Sequence, residues 1–379
     1  MKITYIASAT IPSLTANSVH VMKVCQAFTQ LGHESHLIVP GDRSYAWADL
    51  QEHYGITSPF QIDWLSARPH LHKLDFFWSA VRRAKKEQTQ LVYTRVLWAA
   101  LFAMQHNLPV ILEMHDIPQG RLAPRLYRYY LHRSGKHLTV FITHALQSLI
   151  EKELSVSHNP SEALVMPDGV DLERFANLPS AAEARRSLNL PEKLTAVYSG
   201  GFYAGRGLEI LFELAGLFSQ VQFIWVGGQP QVVQQWQAKI DDAHLTNVLL
   251  PGYISNQKLP VYQAAADILL MPSSKKVAGS SGGNIANVAS PMKLFEYMAS
   301  GKAILCSDLP VLHEVLNTNN AVFYPPDDLS ALTGAFSRLL QDSQLRKNLG
   351  DQAHNDVLKY SWDERMQTIL SYFAAKMEQ

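Results

Sequence analysis

The stretch Ala289–Leu305 reads ASPMKLFEYMASGKAIL. Ser290 suits an N-cap and Pro291 suits the first helical turn. The helix they start runs to about Ala299, and Gly301 is a natural stop. The apolar AIL that follows has the character of a short buried strand. A helix that ends on a glycine and feeds a strand is one unit of an alternating α/β repeat.

The same alternation extends in both directions. KITYIAS at the start reads as a strand over Lys2–Ala9. An amphipathic run over Val19–Leu31 follows, with Val21, Val24, Cys25 and Phe28 on one face and Gly32 as its C-cap. SHLIVPG, LVYTRV, PVILEMH, TVFITHA and ALVMPDG read as further buried strands. From Pro167 to Lys193 the pattern pauses in a segment with three prolines, which reads as a strandless linker. A second series then begins: TAVYSGG, QFIWVGG, NVLLPGY, DILLMPS, AILCSD and AVFYP. Strands alternating with helices imply parallel sheets covered on both faces. The expected fold is therefore α/β, with two Rossmann-like doubly wound domains facing across a cleft. The first spans 1–172 and takes back a C-terminal crossover helix over 362–379; the second spans 190–361. Ligands of such sheets bind beyond the carboxyl ends of the strands, which places the expected site in the cleft.

Composition agrees with two domains. The chain has 379 residues, 47% hydrophobic and 17% charged, the profile of a globular protein. Lys+Arg and Asp+Glu both number 33, and no recognition motif appears, so nucleic acid is not an expected partner. The two cysteines, Cys25 and Cys306, lie far apart among apolar neighbours and read as buried thiols in a reducing compartment. No uninterrupted run of about 18 apolar residues exists to span a membrane. The N-terminal apolar run is too short for a signal peptide and meets Pro12.

The opening stretch also carries chemistry. A helix N-terminus presents free N–H groups and a positive dipole end to an anion. Lys293 adds a full positive charge in the first turn, where the dipole would favour an acid. Glu296 follows one turn later on nearly the same face. An anion held by the helix start and a carboxylate beside it suit a diphosphate and the vicinal hydroxyls of a ribose. The other reading is an ordinary i,i+3 surface pair, worth a few tenths of a kcal/mol.

Five segments in order now add a resemblance. SPMKLFEYMASGKAIL resembles the nucleotide-sugar motif of glycosyltransferase family 4, which has the GT-B architecture. PDGVDLERF resembles that family's interdomain segment, and YSGGFYAGRGLEIL the first strand and loop of its donor domain. PGYISNQKLPVYQAAADILLMPS resembles its base-recognition region, and YSWDERMQTIL its C-terminal crossover. In the first domain GHESHLIV and ILEMHDIP also fit. The resemblance implies a retaining glycosyltransferase that moves a sugar from a UDP- or GDP-linked donor to a glycan or lipid-linked acceptor, in assembly of a surface glycan or glycolipid. By the same resemblance Glu296 holds the ribose, while Pro291, Met292, Lys293 and Leu294 face the diphosphate. Arg206 stands at the family's basic phosphate-binding position, with Gly200 and Gly201 giving that loop close approach. Gly252 and Tyr253 fall where the base lies. His115 matches the family's active-site histidine, which contacts the transferred sugar, and Asp116 orients it or caps the next turn. His115, Arg206 and Lys293 are the residues expected to act on the reaction. No Asp-x-Asp motif is present, so no cofactor and no obligatory metal are expected.

The sequence departs from the family at four places, one of them Gly201, which stands where the family has an arginine five residues before the basic loop residue. The second glutamate expected eight positions before Glu296 is Val288. A long glycine-rich loop precedes the motif, with Gly283, Asn284 and Asn287 as alternative sugar contacts. The first domain's glycine loop is replaced by SLTANS, with Ala16, Asn17 and Ser18 as its small residues. Two other functions remain on these grounds: a non-catalytic nucleotide-sugar-binding homologue, and a nucleotide-sugar 2-epimerase of the same architecture. Two segments of the first domain are basic and aromatic, Lys73–Lys86 and Arg121–Lys136. Arg121, Arg125, Arg128 and His132 share one helical face, with Leu126, Tyr129, Tyr130 and Arg133 nearby. That face either rests on anionic lipid or is a solvated surface over an aromatic stripe. The expected location is the cytoplasm, either free or peripheral on the inner face of a membrane.

Overall fold

The computed structural model describes residues 1–277 and 284–377. The chain divides into two compact units, Met1–Asp168 joined by the segment from Trp362 onward, and Gly169–Ser361. Each unit is a Rossmann-like α/β domain built on one parallel sheet.

The first sheet contains β1 (Lys2–Ile6), β2 (Glu34–Pro40), β3 (Gln61–Leu65), β4 (Leu91–Thr94), β5 (Val110–Met114), β6 (His137–Phe141) and β7 (Ala163–Val165), in the order β3-β2-β1-β4-β5-β6-β7. Its central strands are buried on both faces, which is why they read as unbroken apolar runs. The edge strand β3, QIDWL, was not among the expected strands. Gln61 and Asp63 break its apolar run, and its residues are only partly buried. β1 ends at Ile6, three residues short of the expected Ala9.

The first helix begins at Ala16 and not at Val19. Thr15 supplies the cap, its side-chain oxygen accepting the Ser18 N–H at 3.3 Å. The helix is buried almost all round from His20 to Phe28, rather than on one stripe. One reason is the C-terminal helix Trp362–Met377, which packs against it within the first unit. Trp362, Met366 and Ile369 of that helix are buried there.

The second sheet contains β8 (Thr195–Ser199), β9 (Gln222–Val226), β10 (Val248–Gly252), β11 (Ile268–Met271), β12 (Ala303–Ser307) and β13 (Val322–Tyr324), in the order β10-β9-β8-β11-β12-β13. Tyr198, Phe223, Trp225 and Leu270 join Phe336 and Leu339 in its core. The order of strands reverses between β8 and β11, the kind of point beyond which open α/β sheets bind ligands.

The segment expected to be a plain linker holds a helix, Ala181–Ser187. Ser180 and Glu183 form a reciprocal capping box at its start. Its Arg185 is buried, donates from Nε to the Ala265 carbonyl at 3.0 Å and pairs with Asp267. That fastens the segment to the second unit. No helix among the described residues is long and apolar enough to cross a membrane.

Candidate functional site

In the second unit, the helix of the decisive stretch spans Met292–Ala299. Its N-cap is Pro291, in extended conformation with φ −80° and ψ 118°, and no side chain caps it. The cap is thus one residue later than Ser290, the expected position. The first turn holds no acid and no side chain caps it; within it the Leu294 N–H donates to the Pro291 carbonyl at 2.9 Å.

The second turn of the helix is fixed against β8 by Tyr297. Its hydroxyl accepts the Ser199 N–H at 2.8 Å and donates to the Leu270 carbonyl at 3.3 Å. The Lys293 ammonium lies over the Tyr198 ring, 4.2 Å from its centroid. A side chain on Gly200 would put its Cβ 3.2 Å from that Nζ, so glycine at the end of β8 makes room for the lysine. Burial, then Arg206, pushes the Lys293 pKa well below its ordinary value, with Glu296 opposing. Arg206 is held by the Tyr203 ring, 4.7 Å from the guanidinium, and by a hydrogen bond from Nη2 to the Tyr203 hydroxyl. Its Nε is buried with no hydrogen-bond partner among the described residues. Gly207, at φ +77°, ends this loop where a Cβ would stand 1.7 Å from the Pro272 carbonyl oxygen.

Glu296 is held from two sides. Gln263 Nε2 donates to its Oε2 at 3.2 Å, and Arg174 Nη1 lies 3.8 Å from its Oε1. Neither partner was anticipated, although Arg174 lies in the quoted PDGVDLERF. Gly252 takes φ +74° at the end of β10, and its carbonyl accepts the Gly227 N–H at 2.8 Å. Tyr253 beside it is exposed. A small recess opens beside Arg206, Ser273, Ala286 and Pro291. Gly283, a proposed sugar contact, lies outside the described residues. Asn284 is engaged in the loop itself: its Oδ1 accepts the Val277 and Ala286 N–H groups at 2.9 and 3.1 Å, and its Nδ2 donates to the Lys275 carbonyl at 3.1 Å. Those bonds occupy the amide that was expected to contact sugar. Val288 is buried.

In the first unit, His115 follows β5 and is partly exposed. Its Nε2 meets Oε1 of Glu113, a fully buried carboxylate on β5. Asp116 caps the following turn, accepting the Ile117 N–H at 2.8 Å. Around Glu113 stand His20, Tyr93 and Arg365, with Asp168 beside His20. Burial alone would raise the Glu113 carboxyl, but Arg365, then His20 and His115, hold it well below the usual carboxylate range. Asp168 is held low in the same way, chiefly by His20 against its burial. Only His115 of this group was expected. The signal that was available is Glu113 itself, an acid inside an otherwise apolar strand. His20, Glu113 and His115 also form a set of metal-type ligands. Ligand atoms around a tetrahedral ion bound at about 2.0–2.1 Å stand roughly 3.3 Å apart. Here His20 Nε2 is 2.9 Å from Glu113 Oε1 and His115 Nε2 is nearer still, the separations of an ion pair and a hydrogen bond.

The basic helix of the first unit spans Ala123–His132. Arg121, Leu122, Arg125, Tyr129 and His132 are exposed. Arg128 is not part of the outward face: its Nε and Nη2 donate to the Leu154 carbonyl at 3.1 and 2.7 Å, satisfying a helix C-terminus. Tyr130 is buried under the helix.

Comparison with known proteins covers both units. Residues 18–174 match Glycosyltransferase Family 4, and residues 193–342 match Glycosyl transferases group 1. A phosphatidyl-myo-inositol mannosyltransferase of Mycolicibacterium smegmatis is 27% identical over 90% of this chain and 86% of that protein. An alpha-galactosylglucosyldiacylglycerol synthase of Streptococcus pneumoniae is 21% identical over 80% of this chain and 76% of that one. Among solved structures, a sucrose-phosphate synthase from Thermosynechococcus elongatus superposes with a TM-score of 0.79 at 17% identity, covering 100% of both chains. With both Rossmann-like units matched in order, the chain belongs to glycosyltransferase family 4 and is a glycosyltransferase of GT-B architecture.

Proposed function

We propose that this glycosyltransferase takes its sugar from a nucleoside-diphosphate donor and transfers it, with retained anomeric configuration, to a glycan or lipid-linked acceptor. The observation that carries the reading is the pair of cations at one helix start. Arg206 is close enough for its charge to disfavour that of Lys293, the first turn has no acid, and neither residue forms an ion pair among the described residues. Such an arrangement is relieved by an anion with several negative oxygens. Glu296, held by Gln263 and Arg174, is then the acceptor for ribose hydroxyls, and Gly252 and Tyr253 line the base.

The chemistry follows from the charges. The bond from the anomeric carbon to the diphosphate breaks, and the bond to the acceptor oxygen forms on the same face. The acceptor proton passes to the departing phosphate oxygen. The sugar gains oxocarbenium character and the diphosphate gains negative charge, which Lys293, Arg206 and the helix end offset. These groups supply the positive charge without a metal, so activity is expected to persist in EDTA.

The relatives' names point to lipid acceptors. The exposed Arg121, Leu122, Arg125 and Tyr129 fit peripheral contact with an anionic membrane from the cytoplasmic side. A second reading, a binding-only homologue, is favoured by one fact: Val288, buried and apolar, stands where the family has a sugar-binding acid.

A thermal-shift panel of UDP, GDP, ADP and dTDP with their sugars tests the donor. A shift with one base, lost in Glu296→Ala, supports it, and no shift at millimolar concentration refutes it. NMR of the product's anomeric centre tests retention. Turnover separates the enzyme from the binding-only homologue.

A further inference from the structure

The first unit contains a buried charge cluster that the transfer reaction, as described, leaves without a task. Glu113 sits on β5 with 0% exposure, and its two oxygens face different partners. Oε2 accepts from the Tyr93 hydroxyl and from Arg365 Nη2 at 2.8 Å. Oε1 meets His115 Nε2, and His20 Nε2 lies 2.9 Å away. Arg365 is itself anchored, donating from Nε to the Pro167 carbonyl at 2.7 Å and from Nη2 to the Met166 carbonyl at 3.2 Å. The C-terminal helix thus sets where the carboxylate stands.

We infer that Glu113 is a positioning residue that holds His115 as the neutral imidazole protonated on Nε2, leaving Nδ1 as an acceptor for a sugar or acceptor hydroxyl. A carboxylate paired with Arg365 is ionised and only accepts hydrogen bonds, so the nitrogen facing it carries the proton. The other ring nitrogen has no hydrogen-bond partner among the described residues, and the side chain is 16% exposed. The charged and titratable groups facing the ring are Glu113 from β5, Arg95 after β4, His20 from the Ala16–Gln30 helix, and Asp168 and Arg365 near it. Burial, then Arg95, pushes the His115 pKa down to about 3 against the pull of Glu113. The ring therefore stays neutral at working pH, with its Nδ1 lone pair available. The edge-on His20 ring, 4.8 Å away, and Trp362 behind it at 5.2 Å keep His115 and His20 from turning. The same division of labour, a buried carboxylate fixing a histidine's tautomer, underlies hydrolytic triads.

The choice of a hydroxyl as ligand rests on the transfer reaction; the tautomer does not. The test uses the whole chain with 15N-labelled histidine. Two-bond proton–nitrogen correlations at pH 6 to 8 report the tautomer, with His115 assigned by its loss in His115→Gln. Nε2–H with unprotonated Nδ1 is expected. A predominant Nδ1–H form, or a charged ring in that range, overturns the inference. In Glu113→Gln the amide presents either O or NH2, so the tautomers should mix. Turnover should then fall roughly 10- to 100-fold, the scale of a misplaced catalytic contact, with the donor KM little changed. Unchanged tautomer and turnover in folded Glu113→Gln also overturn it. If that variant fails to fold, the wild-type spectrum still decides. The expected tautomer without turnover on any sugar would count against the transfer reaction and leave the tautomer assignment standing.

Discussion

Lys293→Met separates a ligand-binding cation from a structural one, because the two roles predict opposite effects. The ring of Tyr198 favours the ammonium by about 0.5–2 kcal/mol, the range for a cation–π contact. Burial and Arg206 disfavour it, and together they win, since the pKa is pushed below its ordinary value. Replacing the ammonium by an apolar tip of similar length should therefore leave the unliganded protein within about 1 kcal/mol of wild type, or make it more stable. Ligand binding should suffer instead. A hydrogen bond to a charged group contributes about 1.5–3 kcal/mol, so nucleoside-diphosphate affinity should fall roughly 10- to 150-fold. Thermal unfolding with and without nucleotide reads both effects. At 100 times the wild-type Kd the ligand adds about 2.7 kcal/mol, and a 100-fold weaker variant at the same concentration would gain only about 0.4 kcal/mol. The pH dependence has a definite sign. The folded chain loses this proton at lower pH than the unfolded chain, so the lysine's contribution to stability rises with pH through that window, up to about 10.5. A bound diphosphate favours the charged form, so the ligand's increment should shrink as pH rises. A variant that loses more than about 1 kcal/mol when unliganded, yet keeps the full ligand increment, would refute the reasoning.

Glu296→Ala should weaken donor binding by about 1–3 kcal/mol, the range for lost hydrogen bonds to a charged group; unchanged affinity in a folded variant, by calorimetry, would remove it from the ribose site. His115→Ala should lower turnover more than nucleotide affinity, and full activity would return it to a structural role. Gly207→Ala should destabilise by about 3 kcal/mol or more, combining left-handed strain with a Cβ 1.7 Å from the Pro272 carbonyl; urea denaturation checks it. Acid should weaken the first unit early. His115, Glu113 and Asp168 all have depressed pKa values, so the unfolded chain binds more protons as pH falls. From His115 alone, on the order of 3 kcal/mol should be lost between pH 7 and pH 4, and urea midpoints unchanged over that range would contradict it.

The parts of the fold that the sequence makes legible are those where one physical demand dominates. Buried parallel strands such as VYS and FIWV must be apolar on both faces, so they read as unbroken runs. The edge strand β3 needs only one covered side, and QIDWL carries the mixed signal that results. The helix Ala181–Ser187 was hidden by its prolines on either side, although Ser180 and Glu183 had the spacing of a capping box. In the candidate site, Lys293, Glu296 and Arg206 lie in contiguous motifs and are readable there. Gln263, Tyr297 and Arg174 are not, because their contribution depends on contacts over 33, 98 and 122 positions of chain, distances that no local pattern encodes.

The two units handle charge in opposite ways, and that contrast says which residues wait for a ligand. In the first unit, Glu113 has a partner for each oxygen: Arg365 and Tyr93 on one, the two imidazoles on the other. Breaking such a set leaves a buried charge uncompensated, which typically costs 3–5 kcal/mol. Glu113 therefore belongs to stability and positioning at once. In the second unit, the Arg206 and Lys293 charges sit together without a carboxylate in ion-pair contact, and Arg206 Nε has no hydrogen-bond partner among the described residues. A fold selected only for stability would supply an acid there, as it does for Arg185 with Asp267. On the proposed reading a ligand brings the missing counter-charge, and a diphosphate between the helix start and Arg206 would supply it.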